Sequence, residues 1–264
     1  HLNPSSLEVL AGCRVEAALA QSGEKPASYQ FMRLGYFCTD SRDCRPGHLV
    51  FNRSVSLKDS FKLRNGRIVI MKVLMLQGSP RRHGNTQQFS APFLDELRTK
   101  GAQITEVWLY DRDIRPCLGC QACQNRAGEF GCVIKDDMHE LFNQALAADL
   151  LIFATPIYAF FSTAPVKAFM DRFIYGSGKY YGAERLPSLV TGKKCAVLAT
   201  CGYPPQTALP MFEDAVRRVC RHVGMVYLGS AAARDYGRGT VFMTDEKAEC
   251  ARGFARKLLD EWEK

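Results

Sequence analysis

The run Lys72-Val73-Leu74-Met75-Leu76-Gln77-Gly78-Ser79-Pro80-Arg81-Arg82-His83-Gly84-Asn85-Thr86 changes character twice. Its first five residues are nearly all apolar and show no alternation of period 2, as expected of a strand covered on both faces. Gly78 and Gly84 then let the backbone approach an anion, and Ser79, Asn85 and Thr86 offer hydroxyl and amide donors. The helix predicted to follow presents free N–H groups at the positive end of its dipole. Strand, loop and helix in this register describe a phosphate cradle. The loop has neither the G-x-G-x-x-G of a dinucleotide site nor the G-K-[ST] of a nucleoside triphosphatase, which argues against both classes. An ordinary turn capped by Asn85 is the competing reading.

The same texture repeats downstream. Residues 150–154, 195–199 and 225–229 are further short apolar runs, and a fifth strand is predicted near residues 104–110. Helices lie between them. Phe212, Ala215, Val216, Val219, Cys220 and Val223 recur at helical spacing, as do Ala251, Phe254, Ala255, Leu258, Leu259 and Trp262. Val166, Phe169, Met170, Phe173 and Ile174 form a third stripe, with Ser162 or Thr163 placed to cap it and Pro165 in its first turn. All three stripes read as core. A helix over residues 137–148 completes five βα units, which connection rules turn into a right-handed, doubly wound parallel sheet. Pro92 falls inside the first helix and predicts a kink or a late start.

Before residue 67 the pattern is β-like. Residues 28–38 and 48–56 are short aromatic and β-branched stretches separated by the turn-rich residues 39–47. The expected organisation is a small antiparallel β segment over 1–65, a linker over 66–70 and an α/β domain over 71–264.

In an open α/β sheet, ligands sit beyond the carboxyl ends of the strands. Two further loops share that edge with the cradle. Pro156, Ile157, Tyr158, Ala159, Phe160, Phe161 and Ser162 pair a proline turn with three aromatics, and Thr200, Cys201, Gly202 and Tyr203 follow the strand at 195–199. A phosphate cradle beside two aromatic loops suits a mononucleotide with a planar ring, FMN above others. Alone, the aromatics would read as core or interface.

The 264 residues are 47% hydrophobic and 23% charged, which excludes disorder, collagen and a disulfide miniprotein. No apolar run approaches the roughly 18 to 20 residues of a membrane-spanning helix, and the first residues lack the order of a signal peptide, so a cytoplasmic chain is expected. Eleven cysteines, an odd count in a chain too large to need staples, indicate reduced thiols or metal ligands. Residues 1–70 hold 10 Lys and Arg against 6 Asp and Glu, half of the net charge of +8 in about a quarter of the chain. That balance permits a polyanion partner, and a solvated basic face explains it equally.

Residues 71–264 resemble the NADPH-dependent FMN reductase branch of the flavodoxin-like superfamily. The resemblance is carried by G-S-P-R-x-x-G-N-T at Gly78 to Thr86, C-L-G-C-x-x-C at Cys117 to Cys123, C-V-I-K-D-D-M at Cys132 to Met138, and T-P-I-Y with P-V-K-A-F-M-D-R at Thr155 to Arg172. It implies a flavodoxin-like fold with FMN as cofactor. NAD(P)H would deliver hydride to flavin N5 without a side-chain acid or base, and a quinone, a flavin or another small-molecule or protein acceptor would take the electrons. It places the FMN phosphate on Ser79, Arg81, Asn85 and Thr86, with Gly84 in the loop. The isoalloxazine would run along Pro156, Ile157, Tyr158, Ala159 and Phe160, and its other edge would meet Thr200, Cys201, Gly202 and Tyr203. Lys167, Asp171 and Arg172 would be architectural, on a helix where family members tend to form dimers, so a homo-oligomer is expected.

Cys117-x2-Cys120-x2-Cys123-x8-Cys132 resembles, with a longer last gap, the compact motif of iron-sulfur flavoproteins, which hold a [4Fe-4S] cluster on four thiolates near the flavin. Structural or redox thiols are the alternative, and zinc ranks lower because no nearby His completes a set. Residues 1–65 resemble the C-terminal end of the anticodon-binding β-barrel region of glutaminyl-tRNA synthetase. The carrying residues are L-N-P-x-S-L at Leu2 to Leu7, Y-Q-F-M-R-L-G-Y-F-C-T-D-S at Tyr29 to Ser41, and V-F-N-R-S-V-S-L-K-D at Val50 to Asp59. The aminoacylating nucleotide-binding fold is missing, so at most weak contact with tRNA is expected. With His1 first and Met71 reading like a start, two readings stay open: the C-terminal fragment of a synthetase-reductase fusion, and a cloning choice or upstream open-frame remnant. An iron-sulfur electron carrier and a noncatalytic tRNA-contacting appendage are the rival functions.

Overall fold

The computed structural model describes residues 19, 28–31, 35–40, 42–45, 48–56, 62–64, 67–179, 188–237 and 239–263. The chain divides into two compact units, residues 1–59 and 60–264. In the first, β1 (Ser28–Phe31), β2 (Gly35–Thr39) and β3 (Phe51–Ser56) form an antiparallel sheet in chain order. Tyr29 on β1 meets Phe51 on β3 edge to face, with ring centroids 5.6 Å apart. Asp40 leads the turn after β2: its carboxylate accepts from the Asn52 amide at 2.7 Å and from the Arg42 and Asp43 N–H groups at 2.8 Å. Those bonds, the Asn52 one foremost, hold the Asp40 carboxyl below the ordinary carboxylate value. Much of the synthetase-like sequence lies outside the described residues.

The second unit opens with a hairpin of β4 (Lys62–Arg64) and β5 (Arg67–Val69), which pairs Arg64 with Arg67. The stretch expected as a linker is therefore partly strand. In sequence the two strands are joined by Asn65-Gly66, the pair that hairpin connections favour, and this signal outweighs the loop-like look of the region.

Next come β6 (Lys72–Gln77), α1 (Asn85–Thr99), β7 (Gln103–Trp108), a 3-10 turn (Leu109–Asp111), α2 (Met138–Ala147), β8 (Leu150–Pro156) and α3 (Ala164–Ser177). β9 (Lys194–Cys201), α4 (Pro205–Ala208), α5 (Pro210–His222), β10 (Val226–Arg234) and α6 (Asp245–Glu263) complete the unit. The five strands from β6 onward that form the main sheet are all parallel, in the order β7-β6-β8-β9-β10. This is the flavodoxin-like order, with the topological switch point between β6 and β8.

Both faces are covered, as the apolar runs predict. Successive β6 side chains alternate: Val73 and Met75 pack with α1 and α6 residues such as Phe89, Phe93 and Phe254, while Leu74 and Leu76 pack with Phe142, Phe169 and Phe212 from α2, α3 and α5. The late start predicted from Pro92 does not occur. α1 begins at Asn85 and runs through Pro92 to Thr99. Burial of Phe89, Phe93 and Leu97 on one face outweighs the single missing backbone bond. Among the described residues no helix is long and apolar enough to cross a membrane.

Candidate functional site

Three loops leave the sheet side by side. Gln77 lies beside Ala154 and Pro156 beside Thr200, so β6, β8 and β9 end in register. The Gly78 N–H donates to the Ala154 carbonyl at 2.7 Å, and the Ile157 N–H to the Thr200 carbonyl at 2.8 Å. Gly78 makes the first approach feasible. A Cβ there would stand 2.3 Å from Val166 Cγ2 and 3.0 and 3.1 Å from the Thr155 and Thr163 hydroxyls. Thr163 is the N-cap residue of α3, yet its hydroxyl donates to the Gly78 carbonyl at 2.7 Å and makes no cap bond. Gly78, Thr155 and Thr163 thus position the cradle, a role the sequence reading did not give them, because the contact spans some 85 residues.

The cradle meets the chemistry of a phosphate. α1 starts with Gly84 as its N-cap, no side chain capping it and no acid in its first turn, so its positive end stays open. Asn85 is the first helical residue rather than the cap. Ser79 is buried, and its hydroxyl turns on the Arg81 backbone, accepting from the N–H at 3.2 Å and donating to the carbonyl at 3.3 Å. The buried Thr86 and Thr200 hydroxyls lie 2.8 Å apart; one proton makes that bond and the other remains for a ligand. Arg82 is tied to Asp111 and lies over the Trp108 ring, whereas Arg81 is exposed at the loop. These features fit the phosphate of FMN. Replacing Ser79 and Thr86 by alanine removes two donors to a dianion at about 1.5–3 kcal/mol each, so FMN affinity is expected to fall at least tenfold. Flavin fluorescence titration of the apoprotein measures it, and unchanged affinity would move the phosphate elsewhere.

The second loop departs from the expected proline turn. Pro156 is the last residue of β8, and the reversal is made by Ala159 and Phe160, at φ of 49° and 64°. Tyr158 and Phe161 close it with reciprocal backbone bonds of 2.8 and 3.0 Å. Positive φ at both central residues, neither of them glycine, costs on the order of 1–3 kcal/mol each, a strain that concentrates at functional sites. The turn exposes Tyr158 and Phe160, and Phe160 stacks on Tyr203 with centroids 5.8 Å apart at 19°. Together they form a flat apolar wall beside the cradle. Three expected members face away from it. Ile157 is in the core, Phe161 packs edge-on against Phe212, and the buried Cys201 thiol donates to the Ala233 carbonyl. All three belong to or pack against the apolar core, and burial pushes the Cys201 thiol pKa up.

Residues 112–137 form a long connection without helix or strand, a length that usually carries function. It is clamped to α3. Gln124 donates to the Tyr175 and Gly178 carbonyls at 2.7 and 3.0 Å, and the buried Lys179 ammonium donates to the Cys123 and Phe130 carbonyls at 2.9 and 3.1 Å. Phe130 stacks on Phe142 at 4.3 Å over Gly176, where a Cβ would strike its ring at 2.3 Å. The clamp brings Cys117, Cys120, Cys123 and Cys132 to the wall of one pocket of about 160 Å³, together with Arg172 and Tyr175. The Gly119 N–H donates to Cys117 Sγ at 3.4 Å and Arg172 Nη2 to Cys132 Sγ at 3.2 Å. Burial raises the Cys123 thiol pKa, opposed by the Gln124 bond and the Lys179 charge.

Arg172 is not on an outer face of α3, where the dimer reading would have it. It is buried, ion-paired with the buried Asp136, and its Nε has no partner among the described residues. Lys167 and Asp171 instead pair with each other at 2.7 Å on the exposed side. No three His, Cys, Asp or Glu side chains among the described residues converge on one point as ligands of a single ion would. The four sulfurs instead line one pocket, where the buried Arg172 donates to one of them.

Comparison with known proteins gives independent measures. The family model described as NADPH-dependent FMN reductase matches residues 71–238, and that of the anti-codon binding domain of class I tRNA synthetases (E and Q) matches residues 1–40. An iron-sulfur flavoprotein of Archaeoglobus fulgidus is 32% identical over 199 residues, 73% of this chain and 81% of the relative. A glutamine–tRNA ligase of Pseudomonas putida is 52% identical over 61 residues, 23% of this chain; the chain spans only 11% of that ligase. The structure of an NAD(P)H:quinone oxidoreductase from Methanothermobacter marburgensis superposes with a TM-score of 0.57 at 22% identity, covering 72% of this chain and 98% of its own; at that identity it speaks for the fold.

Proposed function

The chain belongs to the NADPH-dependent FMN reductase family through residues 71–238, and from that premise we propose that it is an FMN-dependent oxidoreductase carrying electrons from NAD(P)H to a second acceptor such as a quinone or a free flavin. The observation that carries this reading is the uncapped start of α1, with buried Ser79 and Thr86, set beside a strained turn that exposes Tyr158 and Phe160 at the switch point of the sheet. Bound FMN would supply the two-electron exchange between donor and acceptor. The residues bind and orient. Ser79, Arg81, Asn85, Thr86 and the α1 N–H groups hold the phosphate, and the backbone of residues 156–160 and 200–203, with Tyr158, Phe160 and Tyr203, holds the ring and excludes water from one face. No side chain in this arrangement needs to give or take a proton. The test is steady-state oxidation of NADPH or NADH with a quinone or dye, for which parallel double-reciprocal lines are expected because donor and acceptor take turns at one site. Bound FMN that no nicotinamide reduces under anaerobic stopped flow would overturn it.

A second centre is part of the proposal. The four-cysteine pocket, with its N–H donors to sulfur and its buried Arg172, supports a [4Fe-4S] cluster on Cys117, Cys120, Cys123 and Cys132, and the A. fulgidus relative is named an iron-sulfur flavoprotein. The cluster would supply a one-electron store beside the flavin chemistry. Residues 1–65 are read as a synthetase-derived tail. Every proposed contact lies beyond Lys72, so a chain cut at Met71 is expected to keep its FMN affinity. Loss of flavin binding in a folded truncation would show instead that the two parts work as one.

A further inference from the structure

We propose that Arg172 is a positioning residue that sets the electron affinity of the centre held by the four cysteines, by donating from a fixed and permanently charged guanidinium to the sulfur of Cys132. The proposal rests on the cluster reading above.

The geometry separates this role from a purely architectural one. A buried arginine that only clamps a carboxylate uses its fork bidentately, two parallel N–H groups to two oxygens. Here the fork is split. Nη1 serves the Asp136 carboxylate and the Arg115 carbonyl, the latter at 3.2 Å, while Nη2 turns to Cys132 Sγ at 3.2 Å and the Ile134 carbonyl at 3.4 Å. Nε is buried and has no partner among the described residues. One donor is thus committed to sulfur. The charge stays: a guanidinium keeps its proton in proteins, and here Nη1 is paired with the Asp136 carboxylate. Asp136 is held ionised in turn. Burial would raise its pKa, and the bonds from Arg172 and from the Arg115 N–H more than reverse that.

The consequence is electrostatic. A cluster held there would gain one negative charge on one-electron reduction, with no bond made or broken, and two such reductions would drain the two electrons that a nicotinamide leaves on FMN. The N–H that Arg172 gives to one sulfur would stabilise the added charge more than the state before it, while Asp136 offsets part of the cation's field. Arg172 would therefore raise the midpoint potential, so that a flavin could fill the centre.

The test uses the full chain, purified and reconstituted without oxygen. Iron and acid-labile sulfide are assayed first, then dye-mediated reductive titration with dithionite is followed by electron paramagnetic resonance. Two variants guard against misfolding: Arg172→Lys, which keeps the charge and loses the fork, and Arg172→Met with Asp136→Asn, which leaves no lone buried charge. Lys167→Met removes the same charge from the exposed face of the same helix. The expected result for the double variant is at least a tenfold shift of the oxidised-to-reduced ratio toward oxidised at fixed potential, a fall of about 59 mV for a one-electron couple. Arg172→Lys should fall in the same direction by less, and Lys167→Met should not move. Arg172 variants that keep their iron and sulfide and titrate like the parent overturn the proposal. A parent protein without iron and sulfide overturns the cluster reading, and the proposal with it, at the assay before any titration.

Discussion

Asp136→Asn is expected to lower the unfolding free energy by about 3–5 kcal/mol, the range seen when one partner of a buried ion pair is removed and the other is left uncompensated. The side chains of Asp136 and Arg172 are 0% and 1% exposed, so neither is screened by solvent. Asp136 also accepts the Arg115 and Met138 N–H groups at 2.9 and 3.2 Å, and so ties the start of α2 and the cysteine connection to α3. Urea denaturation measures the change, with an unaltered m-value showing that the native state kept its compactness. A loss under about 1 kcal/mol would mean that the pair is wet in solution. The same pair predicts an acid limb. The Asp136 carboxyl is depressed in the folded chain, so its contribution is fully present above the unfolded value of about 3.9 and disappears as pH falls through the lower, folded value. The asparagine variant should lack that part of the acid dependence.

Gly78→Ala is expected to weaken FMN binding by about 1–3 kcal/mol, roughly five- to 150-fold, with a stability loss of similar size. The added methyl would sit 2.3 Å from Val166 Cγ2, inside any real contact distance, with the Thr155 and Thr163 hydroxyls closing the other sides at 3.0 and 3.1 Å. Either the cradle lifts off the start of α3, breaking the bond from Thr163 to the Gly78 carbonyl, or α3 gives way and carries the residue 156–161 turn with it. Both displace phosphate and ring sites relative to each other. Val166→Ala opens the space that the methyl needs, so Gly78→Ala/Val166→Ala should recover much of the FMN affinity. A double-mutant cycle by flavin titration and urea denaturation reads the coupling. Additive losses would show that Gly78 acts through its own backbone freedom rather than through this contact.

What could be read in advance follows from the range of the interactions. Periodicity is local, so the five strands, the apolar stripes of α3, α5 and α6 and the cradle loop were legible from residues a few positions apart. The doubly wound parallel sheet and the common edge of the three loops then followed from connection rules, while the order of the strands is read from the structure. The strand ends were legible only to within a few residues: β8 and β9 run on to Pro156 and Cys201, and the strand sought at residues 104–110 stops at Trp108. There, local propensity competes with ladder bonds made to a distant neighbour.

The sequence by itself determined the fold class and the family of residues 71–238, because each rests on spacing within a single element or motif. Only the tertiary structure decided which side chains those motifs present. Ile157, Phe161 and Cys201 belong to site motifs but lie in or pack against the apolar core. Arg172 belongs to a helical motif read as architectural, yet it turns inward to a cysteine 40 positions earlier, while its neighbours Lys167 and Asp171 face outward. Gly78 matters because Val166 arrives beside it from α3. Such contacts join parts of the chain that no local pattern connects, and they exist only once burial has forced the layers together.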